Sequence, residues 1–227
     1  MPEIAGEQRG LRRDARRNHE LLVEAAREVF AEQGVEASLE EIARRAGVGI
    51  GTLYRHFATR EALVEAIFER RIGELVAVAE KAAAEPDGWS GLGYLLERTL
   101  ELQAGDRVLK AVLMRYPPAE GRLANAREEL RHFCEQVLER ARDQGTLRDD
   151  FTVSDLALLF WSFAPLIDAT ARVAPKAWRR HLNMLLDGLR SEAATPADEP
   201  PLSDEELRAA MQALREQQLG RRPSSAA

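Results

Sequence analysis

Apolar residues recur at helical spacing along almost the whole chain. In NHELLVEAAREVFAEQG, residues 18–34, leucines and alanines followed by Val29 and Phe30 repeat every three or four positions, and Gly34 follows as a stop. Similar periods continue to the last strong stripe near Ser191. The pattern predicts an all-α fold.

Two short helices follow the first one. In SLEEIARRAG, Ser38 stands three residues before Glu41, which is the spacing of a capping box. Gly47 then permits a tight turn, and the next residues form a second short helix with Leu53 and Phe57 facing inward. Two short helices joined by a glycine turn predict a helix-turn-helix.

The surface of the second short helix has the chemistry for a polyanion. Gly49 and Gly51 lack side chains, so the start of this helix can approach a groove wall closely, where its dipole favours phosphate. The other outward positions carry hydroxyl and basic groups, which can meet phosphates and base edges: Thr52, Tyr54, Arg55 and His56. Either these residues contact a DNA duplex, or they are the ordinary surface of a small helical hairpin.

The run from Asn18 to about Ala66 resembles the DNA-binding domain of the tetracycline-repressor (TetR) family of transcriptional regulators. The resemblance is most specific in TLYRHF followed by REAL at 60–63, and it covers about a quarter of the chain. It implies that phosphates are held by Ser38, Thr52, Tyr54, His56 and Arg60. It also implies that the residues nearest the bases are Gly49, Ile50, Gly51 and Arg55.

Two positions depart from the family pattern. Arg60 stands where many members have lysine; it keeps the positive charge but replaces a point donor with a planar fork. Ile50 is apolar where a hydrogen-bonding side chain is frequent, so its base contact is limited to a thymine methyl group.

Upstream, residues 1–17 are rich in arginine at spacings of three and four, with Asp14 the only acid among the arginines. This segment is either a solvated helix face or an arm that neutralises phosphates or enters the minor groove. The arm residues predicted to contact DNA are Arg13, Arg16 and Arg17.

Further helices are predicted over 60–84, 89–103, 106–116, 119–144, 153–173 and 176–191, with Pro165 as a kink. In the family the helix from Arg60 joins the DNA-binding head, here 18–60, to a regulatory and dimerisation domain, here 61–191. The last two helices are apolar over wide stripes, and similar proteins use this pair as a four-helix dimer interface. The predicted interface residues are Phe163, Ile167, Trp178, Leu182, Leu185 and Leu189.

Family architecture also implies a ligand pocket among the middle helices, for an apolar to amphipathic small molecule. The candidates are residues where polar groups interrupt apolar ones, with their neighbours: Tyr94, Arg98, Leu102, Leu109, Leu113, His132, Phe133, Trp161 and Asp168. Alternatively, His132 is an ordinary exposed histidine, and Asp168 pairs with Arg172 one turn on.

The C-terminal segment 192–227 begins as an extended linker. Ser203 and Glu206 then form a capping-box pattern, and Leu207, Met211 and Leu214 form an apolar stripe over a helix at 203–219. This helix either packs on a partner surface or belongs to a frayed tail.

Composition narrows the function classes. The net charge is −6, yet residues 1–60 hold ten arginines and ten acids, so the excess acidity lies downstream of Arg60. One cysteine and four scattered histidines indicate neither a metal site nor a redox centre. We expect no cofactor, no membrane span and no signal peptide, hence a cytoplasmic protein.

No catalytic constellation is recognisable, so an enzyme is not expected. The sequence predicts a ligand-responsive transcriptional regulator, a repressor that binds double-stranded operator DNA as a homodimer and is released by a small-molecule effector. The alternatives are a helical small-molecule-binding protein and a constitutive DNA binder without effector control.

Overall fold

The structure, a computed structural model, describes residues 3–33, 37–105 and 122–220. Over these residues it contains nine α-helices and no strand, which confirms the all-α prediction. The helices are α1 Glu3–Gln33, α2 Leu39–Arg45, α3 Ile50–His56, α4 Arg60–Ala83, α5 Gly88–Gly105, α6 Arg122–Asp143, α7 Val153–Thr170, α8 Ala177–Leu189 and α9 Asp204–Gly220. The predicted helix at 106–116, with Leu109 and Leu113, lies outside the described residues.

The chain divides into two compact units, Met1–Arg70 and Arg71–Ala227. The sequence placed the boundary at residue 60, where α4 begins, but the first turns of α4 belong to the first unit. Leu63 and Ile67 are buried, which accounts for this difference. The helix α4 therefore continues from one unit into the other.

In the first unit α2 packs on α1 and α3 packs on α2. Leu22, Ala26 and Val29 of α1 are fully buried. The predicted arm is not a separate segment, because α1 is one helix of 31 residues that includes it. A helix is about 10–12 Å across and the minor groove about 6 Å wide, so this arm cannot enter that groove as a helix.

In the second unit α5 lies at the centre and packs against α6, α7 and α8. Its leucines Leu92, Leu95, Leu96 and Leu100 are buried almost completely. A capping box between Thr152 and Asp155 begins α7, which continues through Pro165 to Thr170. Among the described helices α7 alone is long and apolar enough to cross a membrane, a weak indication because the core helix of a soluble protein passes the same test.

The corner between α4 and α5 is held by the end of α6. Arg140 Nη1 donates to the carbonyl oxygens of Ala83 and Glu85, the latter at 2.7 Å. The amide of Gly88 donates to Gln144 Oε1 at 2.7 Å. A Cβ at Gly88 would lie 2.5 Å from the backbone nitrogen of Ala141, so this close approach of helices requires glycine.

The C-terminal segment is attached to the second unit. Arg148 Nη2 donates to the carbonyl of Thr195 at 2.6 Å, and the amide of Ala197 donates to Asp150 Oδ2 at 3.1 Å. The capping box of Ser203 and Glu206 begins α9 as predicted. Met211 is buried, so the apolar stripe of α9 has a partner surface within the same unit.

We predict that Gly88→Ala lowers the free energy of unfolding by about 1–3 kcal/mol, because the new methyl group meets the backbone of α6. Gly93→Ala is the matched control, since a Cβ there meets nothing within 4 Å and alanine favours the helix. Urea unfolding measures both. Equal stability of the two variants would contradict the tight corner.

Candidate nucleic-acid interface and cavity

The turn between α2 and α3 presents α3 at the surface. Gly47 has a φ of +69°, and the amide of Val48 donates back to the carbonyl of Ala43 at 3.0 Å. Gly49 caps α3 without a side-chain hydrogen bond. Leu53 and Phe57 are 0% and 3% exposed, which confirms their predicted inward direction.

The opposite side of α3 is open. Tyr54 is 50% exposed and Ile50 37%, unusually exposed for large side chains in this chain. Arg55 is also exposed, and its Nη2 donates to Thr52 Oγ1 at 3.3 Å. Built Cβ atoms at Gly49 and Gly51 meet nothing within 4 Å. Packing inside the protein therefore does not require glycine at either position.

His56 is half-buried at the end of α3. Its ring lies 6.1 Å from the ring of His19 on α1 in an edge-to-face arrangement. Burial lowers the pKa of His56, and the charges of His19 and Arg55 lower it further. The lowered pKa favours the neutral ring, which offers a phosphate an N–H donor rather than a positive charge.

Ser38 and Arg60 meet at the start of α2. Ser38 Oγ accepts from the amide of Glu41 at 3.4 Å and donates to Glu40 Oε2 at 2.6 Å, and that hydrogen bond is the main cause of the lowered pKa of Glu40. Arg60 Nη1 donates to the carbonyl of Ala37 at 2.6 Å. Both predicted phosphate ligands thus also stabilise the fold, and a carboxylate lies beside them.

The arginines of the arm are exposed on α1. Arg13, Arg16 and Arg17 all face solvent, and Arg16 Nε lies 3.0 Å from Glu20 Oε1. An exposed pair of this kind is easily exchanged for another anion, because water screens it.

A cavity of about 430 Å³ lies in the second unit. Its walls come from α4, α5, α6, α7 and α9, and they are mostly apolar. The buried hydroxyl-bearing residues Thr99 and Ser154 contribute to the lining. Charged residues line it on α6 and α9: Arg127, Glu128, Arg131, Asp204 and Arg208.

Of the predicted ligand-binding residues, Trp161 lines this cavity. The other described ones lie elsewhere, each in its own setting. Lys81 Nζ lies 5.0 Å from the ring centre of Tyr94, and Arg98 pairs with Glu101. His132 is exposed, with its Nε2 2.9 Å from Gln136 Nε2. Leu102 and Phe133 are half-buried, and Asp168 is exposed.

Sequence reasoning missed most of the lining. Leu130, Arg131 and Cys134 on α6 and the first turns of α7 contribute, as does α9. One sequence feature could have pointed to the lining, namely the hydroxyl-bearing Ser154 within an otherwise apolar stripe. The walls come from five helices, so their identity depends on helix crossings that periodicity does not specify.

The predicted dimer residues need a correction. Five of the six are buried in the core of their own protomer: Phe163, Ile167, Trp178, Leu182 and Leu189. Leu185 is half-buried against the same core. This stripe is apolar as predicted, and within the protomer α8 packs on α5 and α7.

The other face of α7 and α8 is available. On α7 it carries Leu158, Pro165 and Leu166, of which Leu166 also packs partly against the core, and on α8 it carries Met184, which is 50% exposed. We call these four residues the outer face.

The family comparisons cover both units. Residues 22–67 match the family of bacterial regulatory proteins called the tetR family, and residues 91–191 match the SbtR-like C-terminal domain of transcriptional regulators. The HTH-type transcriptional regulator UidR of Escherichia coli is 29% identical over 164 residues, which is 66% of this chain and 80% of UidR.

Solved structures agree with this assignment. A TetR transcription regulatory protein from Mycobacterium vanbaalenii is 32% identical with a TM-score of 0.58, over 79% of this chain and 99% of that one. A TetR transcriptional regulator from Streptomyces coelicolor is 30% identical with a TM-score of 0.53, over 76% of this chain and 98% of that one. The chain therefore belongs to the TetR family of transcriptional regulators, which bind DNA through the helix-turn-helix described above.

Proposed function

We propose that this regulator is a repressor that binds its operator as a homodimer and is released when a small molecule enters the cavity of the second unit. The exposed side of α3, formed by Ile50, Gly51, Tyr54 and Arg55, is called the reading face here. The observation that carries this proposal is that one chain combines this reading face with an apolar cavity of about 430 Å³. Cavities of about 300–1,000 Å³ are typical of small-molecule sites. We place its action in the cytoplasm, where bacterial operator DNA is found.

On the DNA, α3 lies with its first turn toward the major groove. Gly49, Gly51, Ile50 and Arg55 lie nearest the bases, with Ile50 positioned for a thymine methyl group. Phosphates are held around this turn by hydroxyl, imidazole and guanidinium groups: Ser38, Thr52, Tyr54, His56 and Arg60. The exposed Arg13, Arg16 and Arg17 add phosphate contacts from α1.

A homodimer follows from the size of α3. A helix of seven residues reads too few base pairs for useful specificity, so two copies must read two half-sites. The outer face supports this assembly, because it leaves apolar side chains uncovered on two adjacent helices. The buried residues behind it hold each protomer together.

The effector is expected to be mostly apolar with a polar group. The lining offers aliphatic and aromatic carbon from Leu95, Leu156 and Phe160, with Thr99 and Ser154 as the nearest hydroxyls. Ile72 and Leu75 of α4 also line the cavity, so a bound molecule would press on the helix that begins at Arg60. This is the proposed route of coupling.

The deciding experiment is a mobility-shift titration with the intergenic DNA upstream of the gene, repeated at several salt concentrations. Specific binding should weaken steeply with salt, because phosphate contacts release counterions. Compounds that raise the thermal stability of the free protein are then added to the protein–DNA complex. Loss of the shifted band with some of them is expected; no effect from any of them would contradict effector control.

Gly51→Ala tests the reading face. We expect it to stabilise the protein by about 0.5–1 kcal/mol, because glycine is unfavourable inside a helix, and to weaken operator binding about tenfold, because the methyl group holds α3 off the groove. Gly73→Ala on α4 is the control with equally open space. If both variants bind operator alike, Gly51 does not approach the DNA.

Met184→Glu tests the dimer. Placing a charge on the outer face should give monomers in light scattering while helix content stays unchanged, because an unpaired charge would otherwise be buried between protomers. Leu21→Glu is the control, an exposed apolar residue of α1 in the first unit. A stable Met184→Glu dimer would move the interface away from α8.

Ala157→Phe tests the cavity. Ala157 is half-buried in the lining, so the added ring should fill part of the space a ligand needs. We expect operator affinity to stay within about twofold of the original, while releasing compounds lose at least about tenfold in potency. Unchanged potency would place the effector outside this cavity.

A further inference from the structure

We propose that α9 is a hinged wall of the effector cavity, which moves to widen the way in for a molecule and which selects that molecule through Leu207 and Met211. Its functional meaning rests on the effector role proposed above. The match to the C-terminal domain family ends at residue 191, before α9 begins. The wall is therefore supplied by a part of the chain outside that matched domain.

The helix α9 contributes apolar side chains to one wall of the cavity. Leu207 and Met211, one turn apart, line the cavity, and Met211 is only 4% exposed. The same cavity is lined by Leu130 of α6 and by Val153 at the start of α7. The intervening Ala209 and Ala210 are exposed, so α9 covers the cavity with one stripe.

An ion pair between Arg131 and Asp204 attaches the beginning of α9 to α6. Arg131 Nη1 lies 2.6 Å from Asp204 Oδ2, while its Nε lies 2.8 Å from Glu135 Oε1. These hydrogen bonds raise the pKa of Arg131 above its usual value. The side chains of Arg131 and Asp204 are 41% and 50% exposed, so water screens the pair and it opens at low cost.

The linker before α9 is suited to a hinge. The linker is fixed at its start by two hydrogen bonds. Arg148 donates to the carbonyl of Thr195, and the amide of Ala197 donates to Asp150. Residues 198–201 are exposed. Movement about this stretch would lift α9 without disturbing α5 through α8, which form the core.

Cys134 reports the position of this wall. It is the only cysteine in the chain, it lines the cavity, and it is 6% exposed. Burial raises its pKa to about 12, so the closed protein offers almost no thiolate. Reaction with N-ethylmaleimide, followed by intact mass, therefore measures how often Cys134 becomes accessible.

We expect Met211→Ala to increase the labelling rate of Cys134 at least about tenfold, because a buried anchor is lost. Asp204→Asn should increase it about two- to fivefold, since it weakens a screened ion pair. The controls are Glu205→Gln, which removes one acid from the same turn, and Ala213→Ser, an exposed neighbour on α9. Variants that label no faster than these controls would overturn the proposal.

Global unfolding would also expose Cys134, so labelling is repeated in low urea. Opening of α9 alone exposes little surface and should depend on urea much less than the unfolding equilibrium does. Equal urea dependence in the unmodified protein would overturn the hinged wall. The assay contains neither DNA nor effector, so its result is separate from the outcome of the DNA-release experiment.

Discussion

Neither short helix of the first unit can be stable by itself. Isolated helices below about 12–15 residues are marginal in water, and α2 and α3 have seven residues each. They persist because Ile42 and Leu53 are fully buried and because Gly47 closes the turn between them. Because one side of α3 packs into the core, the other side remains exposed to solvent. A surface that contacts DNA requires such exposure.

In the second unit α7 serves three surfaces at once. Its inner face packs with Phe163 into the core, Trp161 and Ala157 line the cavity, and Leu158 and Leu166 belong to the outer face. Because α7 carries apolar residues on so many sides, its composition resembles that of a membrane span. The core of one protomer covers only part of this apolar surface, which is consistent with the homodimer that we propose.

Local features were predictable from the sequence because their causes lie within a few residues. The N-cap at Ser38, the inward direction of Leu53 and the capping box before α9 all follow from spacing. The capping box of Thr152 and Asp155 has the same three-residue spacing and follows from the sequence equally.

Tertiary features were less predictable. The periodicity of α8 shows that Trp178 and Leu182 share an apolar face, yet it cannot say whether α5 or a second chain covers that face. The cavity lining is harder still, because Cys134, Ser154 and Met211 come together only through the arrangement of separate helices. Family architecture suggested the middle helices and omitted α9, since the relatives' domain match ends before it.

The two proposed sites share one continuous element. Residues of α4 before Arg71 belong to the first unit, and the rest belong to the second, where Ile72 and Leu75 line the cavity. A helix transmits displacement along its axis because its backbone hydrogen bonds resist bending. Arg60, the first residue of this helix, donates to the carbonyl of Ala37 just before α2, so in the proposed coupling a movement of α4 would be felt at the start of α2. Any free energy with which an effector disfavours the DNA-bound state must equal the free energy with which operator DNA disfavours the effector. Because residues of α9 line the same cavity, the hinged wall that we propose would link effector entry to the ion pair between Arg131 and Asp204.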